Sequence, residues 1–199
     1  MRASHLAVAA LTGLLAWRFD AAAATTIHRA RGSILSVSPQ QIVVSSLTGD
    51  SRTFAITPQT RYATERKLAL SAIQPGSYIG SAAIPGGNGT LTALEVTVFP
   101  PSMKGAGEGH RDWDLAPHSS MTNGTVGALK QANGDVLTVT YHGGTQIIVV
   151  PPGTPIVAPG PGNYDALQPG MKVIVFPSPK DPKVADRIAY GEDGLTPPQ

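Results

Sequence analysis

The chain has 199 residues, of which 41% are hydrophobic and 14% charged, with 22 Gly, 18 Pro and no Cys. The absence of cysteine excludes disulfides, a thiolate metal site and a cysteine nucleophile. The formal net charge is only +2 and no Lys/Arg run or basic face mixed with aromatics occurs, which excludes a phosphate-binding groove for nucleic acid.

The first element is a leader. A basic start at Met1-Arg2 precedes an apolar run from Leu6 to Trp17, and Ala21-Ala22-Ala23-Ala24 closes the segment. This is the pattern of a secretory signal peptide, with cleavage expected near Ala22–Ala24 and a periplasmic product. The run is shorter than the roughly 20 residues a membrane span needs, so no span is expected after cleavage. Removing Arg2, Arg18 and Asp20 leaves 13 basic and 12 acidic residues.

The rest of the chain repeats itself. Gly32-Ser33-Ile34 is matched by Gly124-Thr125-Val126, and Ile56-Thr57-Pro58-Gln59-Thr60 by Val150-Pro151-Pro152-Gly153-Thr154. Ile73-Gln74-Pro75-Gly76 is matched by Leu167-Gln168-Pro169-Gly170, and Ala93-Leu94-Glu95-Val96 by Ala185-Asp186-Arg187-Ile188. The matches keep one order and a near-constant offset, the signature of internal duplication.

Each copy reads as five short strands. They are expected near 29–37, 41–46, the stretch ending at Pro58, 77–84 and 90–99, and again near 124–131, 135–141, the stretch ending at Pro151, 171–176 and 184–190. Asn133-Gly134 is a hairpin signal because both residues accept positive φ. Short turn segments carry Ile73 and Leu167. In the last strand of the first copy, alternation puts Leu91, Ala93, Glu95 and Thr97 on one face and Leu94, Val96 and Val98 on the other. Asn88-Gly89-Thr90 and Asn123-Gly124-Thr125 read as turns.

The expected fold is all-β: two tandem small five-stranded OB-like barrels joined by a long connector, with closure removing exposed edges. The domains are then 1–24 signal peptide, 27–100 first barrel, 101–122 connector, 123–194 second barrel and 195–199 tail. The Arg31-Gly32-Ser33-Ile34 start, Gln74-Pro75-Gly76-Ser77-Tyr78-Ile79-Gly80 and Thr90-Leu91-Thr92-Ala93-Leu94-Glu95-Val96 resemble an exported bacterial family of OB-like barrels, a domain of unknown function. The resemblance implies fold and location and brings no catalytic residues.

The connector concentrates the chemistry. If residues 108–115 are extended, Glu108, His110, Asp112 and Asp114 share one side, and Trp113 with Leu115 can dock the other onto a barrel. With His118 folding back, this nitrogen and oxygen set suits a divalent transition metal such as Zn, Ni, Cu(II) or Mn. The simpler reading is a polar linker anchored by Trp113, since the spacing matches no established metal motif.

No catalytic constellation stands out. Ser119 or Ser120 with His118 is too compact in sequence for a spatially assembled triad, and there is no Gly-x-Ser-x-Gly elbow. The leading expectation is a periplasmic, non-catalytic binding or scaffolding protein whose partner is an unspecified ligand or envelope protein. The alternative is a metal-handling envelope protein using the connector, and the third an envelope hydrolase.

Overall fold

A computed structural model describes residues 29–46, 49–131 and 135–198. The expected signal peptide and its cleavage site lie outside the described residues. Thirteen strands follow in chain order: β1 (Ala30–Ser38), β2 (Gln41–Ser46), β3 (Ser51–Ala55), β4 (Arg61–Lys67), β5 (Tyr78–Pro85), β6 (Leu91–Val98), β7 (Gly109–Asp112), β8 (Ser120–Gln131), β9 (Asp135–Tyr141), β10 (Gly144–Val150), β11 (Ile156–Pro161), β12 (Lys172–Pro177) and β13 (Ala185–Gly191). The protein is all-β, as the Gly- and Pro-punctuated sequence implies. Among the described residues no helix is long and apolar enough to cross a membrane.

The strands form one sheet system in the order β10-β9-β8-β5-β6-β11-β4-β13-β12-β1-β2-β3, and a further parallel pairing of β10 with β6 closes a five-stranded barrel. Two of its strands come from the first copy and three from the second. The expected arrangement, in which each copy supplies its own barrel, is therefore replaced by an exchange. The complementary set β13-β12-β1-β2-β3 is bridged at its ends by Ala55 and Val184, with Ala55 N–H donating to the Lys183 carbonyl at 2.8 Å.

The two cores follow the exchange. One joins Ile34, Ile42, Val44 and Phe54 to Val173, Val175, Ile188 and Tyr190. The other joins Ile73, Ile79 and Val96 to Val126, Leu137, Val139 and Ile148. Hydrogen bonds of the two Gln-Pro-Gly turns are exchanged as well. Gly76 N–H donates to the Val126 carbonyl at 2.7 Å, and Gly170 N–H donates to the Ile34 carbonyl at 2.8 Å.

The strands that carry the chain from one core to the other are β4 and β11, neither of which the sequence reading assigned. They pair antiparallel, with Glu65 opposite Pro159, Ala63 opposite Pro161 and Lys67 opposite Val157. Each lies parallel to the last strand of the opposite half, β4 on β13 and β11 on β6. Residues 63, 65 and 67 correspond to 157, 159 and 161 in the repeat, so the pairing maps onto itself about Glu65–Pro159. That is the signature of a two-fold axis, and the described residues have the organisation of a strand-exchanged dimer joined into one polypeptide.

Equivalent β-bulges set which side chains face this axis. Leu94 is the extra residue where β6 meets β5, and Asp186 is the extra residue where β13 meets β12. A bulge reverses the side-chain alternation beyond it. Ala93 and Val96 therefore enter the same core, and so do Ala185 and Ile188. The uninterrupted alternation expected for 91–98 is corrected accordingly: Glu95 and Thr97 point away from that core and are buried, with Thr97 Oγ1 donating to Glu95 Oε1 at 2.8 Å. Gly32 and Gly124 hold equivalent positions where backbones cross. A Cβ there would lie 1.7 Å from the Ser45 carbonyl oxygen and 2.5 Å from that of Thr140.

Candidate functional site

The connector folds back as a short strand. The backbone of β7 pairs with β8, Gly109 opposite Asn123 and Asp112 opposite Ser120. The Asn123-Gly124 pair, expected as a turn, lies inside β8 and pairs with β5. Beyond Asp112 the chain leaves the ladder: Trp113 N–H donates to the Ser119 carbonyl at 2.8 Å, and residues between them form a turn.

This break separates the residues expected to share a metal. Glu108 Oε1 accepts from the His142 backbone N–H at 2.8 Å. His110 Nδ1 lies 2.8 Å from Thr122 Oγ1, and its ring stacks at 6.4 Å on Tyr141. Asp112 is exposed at the end of β7, and His118 is exposed in the turn with φ 60°. Asp114 turns the other way, onto the guanidinium groups of Arg29 and Arg31, accepting from Arg31 Nη2 at 2.8 Å. Among the described residues no group of three or more His, Asp or Glu side chains comes together.

Ser119 is buried, and its hydroxyl accepts from Ala116 N–H and donates to the Trp113 carbonyl. It shapes the turn that carries Trp113. Two cations lie over the indole, with Arg29 Cζ 3.6 Å and Arg111 Cζ 5.4 Å from its ring centroid. Such stacking adds roughly 0.5–2 kcal/mol each, depending on desolvation. Trp113 thus lies against residues from the start of β1 and from β7.

The Asp114 carboxylate is held below its ordinary pKa. Burial alone would raise it, but the hydrogen bond and charge of Arg31 and the charge of Arg29 outweigh that. Replacing Asp114 by Ala leaves two guanidinium groups facing each other with their carboxylate removed. The expected cost is about 1–3 kcal/mol, below the value for fully buried pairs because these side chains keep some solvent. Urea unfolding at pH 7 measures it, and an unchanged midpoint would mean the clamp is a surface pair of no consequence.

The residues that do converge lie around the two-fold axis. A cleft of about 200 Å³ is lined by Glu65 from β4, Arg187 from β13, Asn123 and Met121 from β8, and Arg111 and Trp113 from the connector, with Pro159 and Ala189 among its apolar walls. Glu65 is only 5% exposed, and its Oε2 has no hydrogen-bond partner among the described residues. Burial pushes its pKa up to about 7, and the nearby charge of Arg187 offsets only part of that. The Asn123 amide donates to the Ala106 carbonyl at 3.1 Å, while its Oδ1 is buried and unpartnered; Trp113 Nε1 is buried and unpartnered too. The Arg187 guanidinium lies 3.8 Å over the Phe176 ring and makes no hydrogen bond or ion pair among the described residues.

Sequence reasoning took Trp113 only as an anchor for the connector and missed Glu65, Asn123 and Arg187 as cleft residues. One signal was present. Arg187 corresponds to Glu95 and Glu65 to Pro159, so the axis gathers positions where the two copies differ in charge. No family model matches the chain, and neither a curated protein nor a solved structure matches it.

Proposed function

We propose that this is an exported, non-catalytic binding protein whose ligand site is the axial cleft. One observation carries the reading. Three buried polar atoms without partners, Glu65 Oε2, Asn123 Oδ1 and Trp113 Nε1, belong to residues lining the same cleft. An unsatisfied buried polar atom costs about 1–3 kcal/mol, and three in one place are a functional arrangement more readily than a packing fault. The cleft sits at the junction of the exchanged halves, the kind of place where ligand sites form. The leader pattern at 1–24 and the resemblance to an exported OB-like family support the address.

A thermal-shift panel of small polar solutes tests the reading, run on the native sequence and on Ala106→Phe. Ala106 is exposed at the cleft, so a phenyl group there obstructs the site without entering a core. A ligand at about a hundred times its Kd adds about 2.7 kcal/mol, or roughly 5–10 °C for a chain of this length. The expected result is stabilisation of the native protein and its loss in Ala106→Phe. Equal stabilisation of both, or none across the panel, would overturn the proposal.

A further inference from the structure

Resting on the cleft reading above, we infer that the ligand is a small hydroxylated carboxylate, its anionic group held by Arg187 and Arg111 and a hydroxyl group donating to Asn123 Oδ1. The argument starts from charge. Arg111 and Arg187 line the cleft against a single carboxylate, Glu65, so the lining is net positive. The Asp114 carboxylate does not relieve this, because it is engaged by Arg29 and Arg31. Burial lowers the pKa of Arg187, and the charges of Arg61 and Arg29 act in the same direction, with only Glu65 and Asp186 opposing them. A planar carboxylate matches a guanidinium fork in two parallel hydrogen bonds.

Charge alone would also admit sulfate or phosphate. Two other observations favour a hydroxy acid. Asn123 Oδ1 and Glu65 Oε2 are buried acceptors without a donor among the described residues, and sulfate brings no proton to either. A hydroxyl group does. The remaining walls include Ala63, Met121, Pro159 and Ala189, which suit a short carbon skeleton more than a bare anion. Trp113 Nε1 needs an acceptor, which a second ligand oxygen provides. A cleft of about 200 Å³ is smaller than the sites of roughly 300–1,000 Å³ that hold drug-sized ligands, so the molecule is small.

Indole fluorescence tests the inference. Trp17 and Trp113 are the two tryptophans of the chain, so Trp17→Phe in the full chain leaves Trp113 as a reporter inside the cleft. The probes are lactate and glucuronate as hydroxy acids, propionate as a carboxylate without hydroxyl, glucose as a polyol without charge, sodium sulfate, and ethanolamine. Saturable change is expected with a hydroxy acid, weaker by about tenfold or more with propionate and with glucose. A response to lactate alone means a short acid; a response to glucuronate alone means a sugar acid. Arg187→Gln and Arg111→Gln should each weaken binding by about tenfold, with near-UV circular dichroism checking that the fold is kept. Arg111 lies at the exposed surface, so its variant reports even where Arg187→Gln fails to fold. Saturation by glucose or ethanolamine with none by the acids overturns the ligand class and leaves the cleft as the site. Preference for sulfate does the same. No saturable change with any probe overturns both readings.

Discussion

A chain cut once between Lys104 and Gly105 should stay in one piece under native conditions. Both residues are exposed in the connector, so a protease sequence inserted there cleaves without entering either core. Two barrels in tandem would part after the cut and remain folded. The exchanged arrangement predicts the opposite. Residues 1–104 contain Ile34, Ile42, Val44 and Phe54, which pack against Val173, Val175, Ile188 and Tyr190 of the other fragment. At about 1.5–3 kcal/mol for each large apolar side chain, withdrawing those four costs roughly 6–12 kcal/mol, comparable to the whole stability of a typical domain at about 5–15 kcal/mol. The second core loses as much by the same division. Size-exclusion chromatography of the cut protein should therefore show one species holding both fragments. Separation in denaturant should give two unfolded chains, and mixing them after denaturant removal should restore the native circular dichroism. Two folded fragments eluting separately would refute the exchange.

The duplication was legible in the sequence because its signals are local. A Gln-Pro-Gly turn looks the same whichever first strand it serves, and the strands near 77–84 and 171–176 were found close to their true limits. The exchange was not legible for that very reason. Nothing within one copy says whether Gly76 N–H will meet Ile34 or Val126. The deciding elements are β4 and β11, whose patterns hide them. Arg61–Lys67 is polar at both ends, and Ile156–Pro161 contains two prolines, which argue against a paired strand when read alone. Each becomes a strand because the other lies beside it across the axis.

The candidate site was half legible. Trp113 stood out by its size as an anchor for the connector, but nothing in the sequence tied it to the cleft. The metal set failed where extension failed: β7 ends at Asp112, and Asp114 meets two arginines that lie some eighty positions earlier. Arg187 and Glu65 needed longer-range knowledge still. Arg187 faces the axis because Asp186 is a bulge, and that bulge appears only in the pairing with β12.

Glu65→Gln should stabilise the protein at pH 8 by about 3 kcal/mol and hardly at all near pH 4. The folded-state pKa of Glu65 is raised from 4.5 to about 7 by burial, only partly offset by the charge of Arg187. In the unfolded chain the group ionises near 4.5. Below that value both states carry the proton, and ionisation costs the fold nothing. Between pH 4.5 and 7 the folded state binds more proton than the unfolded state, so stability falls as pH rises. Above pH 7 both are ionised and the full cost remains, at 1.36 kcal/mol per unit of displacement. Glutamine keeps the shape and a polar end while removing the ionisation. The charge that acts on Glu65 is Arg187 on β13, which keeps its proton in this range. Other groups also titrate between pH 4 and 8, so the informative quantity is the difference between the two proteins at each pH. Thermal melts should show Glu65→Gln gaining roughly 6–12 °C at pH 8, with the gain shrinking steadily to pH 4.5. A constant offset at every pH would mean that the carboxyl group is solvated at an ordinary pKa, and would remove Glu65 from the buried lining of the cleft. The pH-dependent gain would instead show that the fold keeps a costly carboxyl group at its axis, a cost that binding at the cleft explains and packing does not.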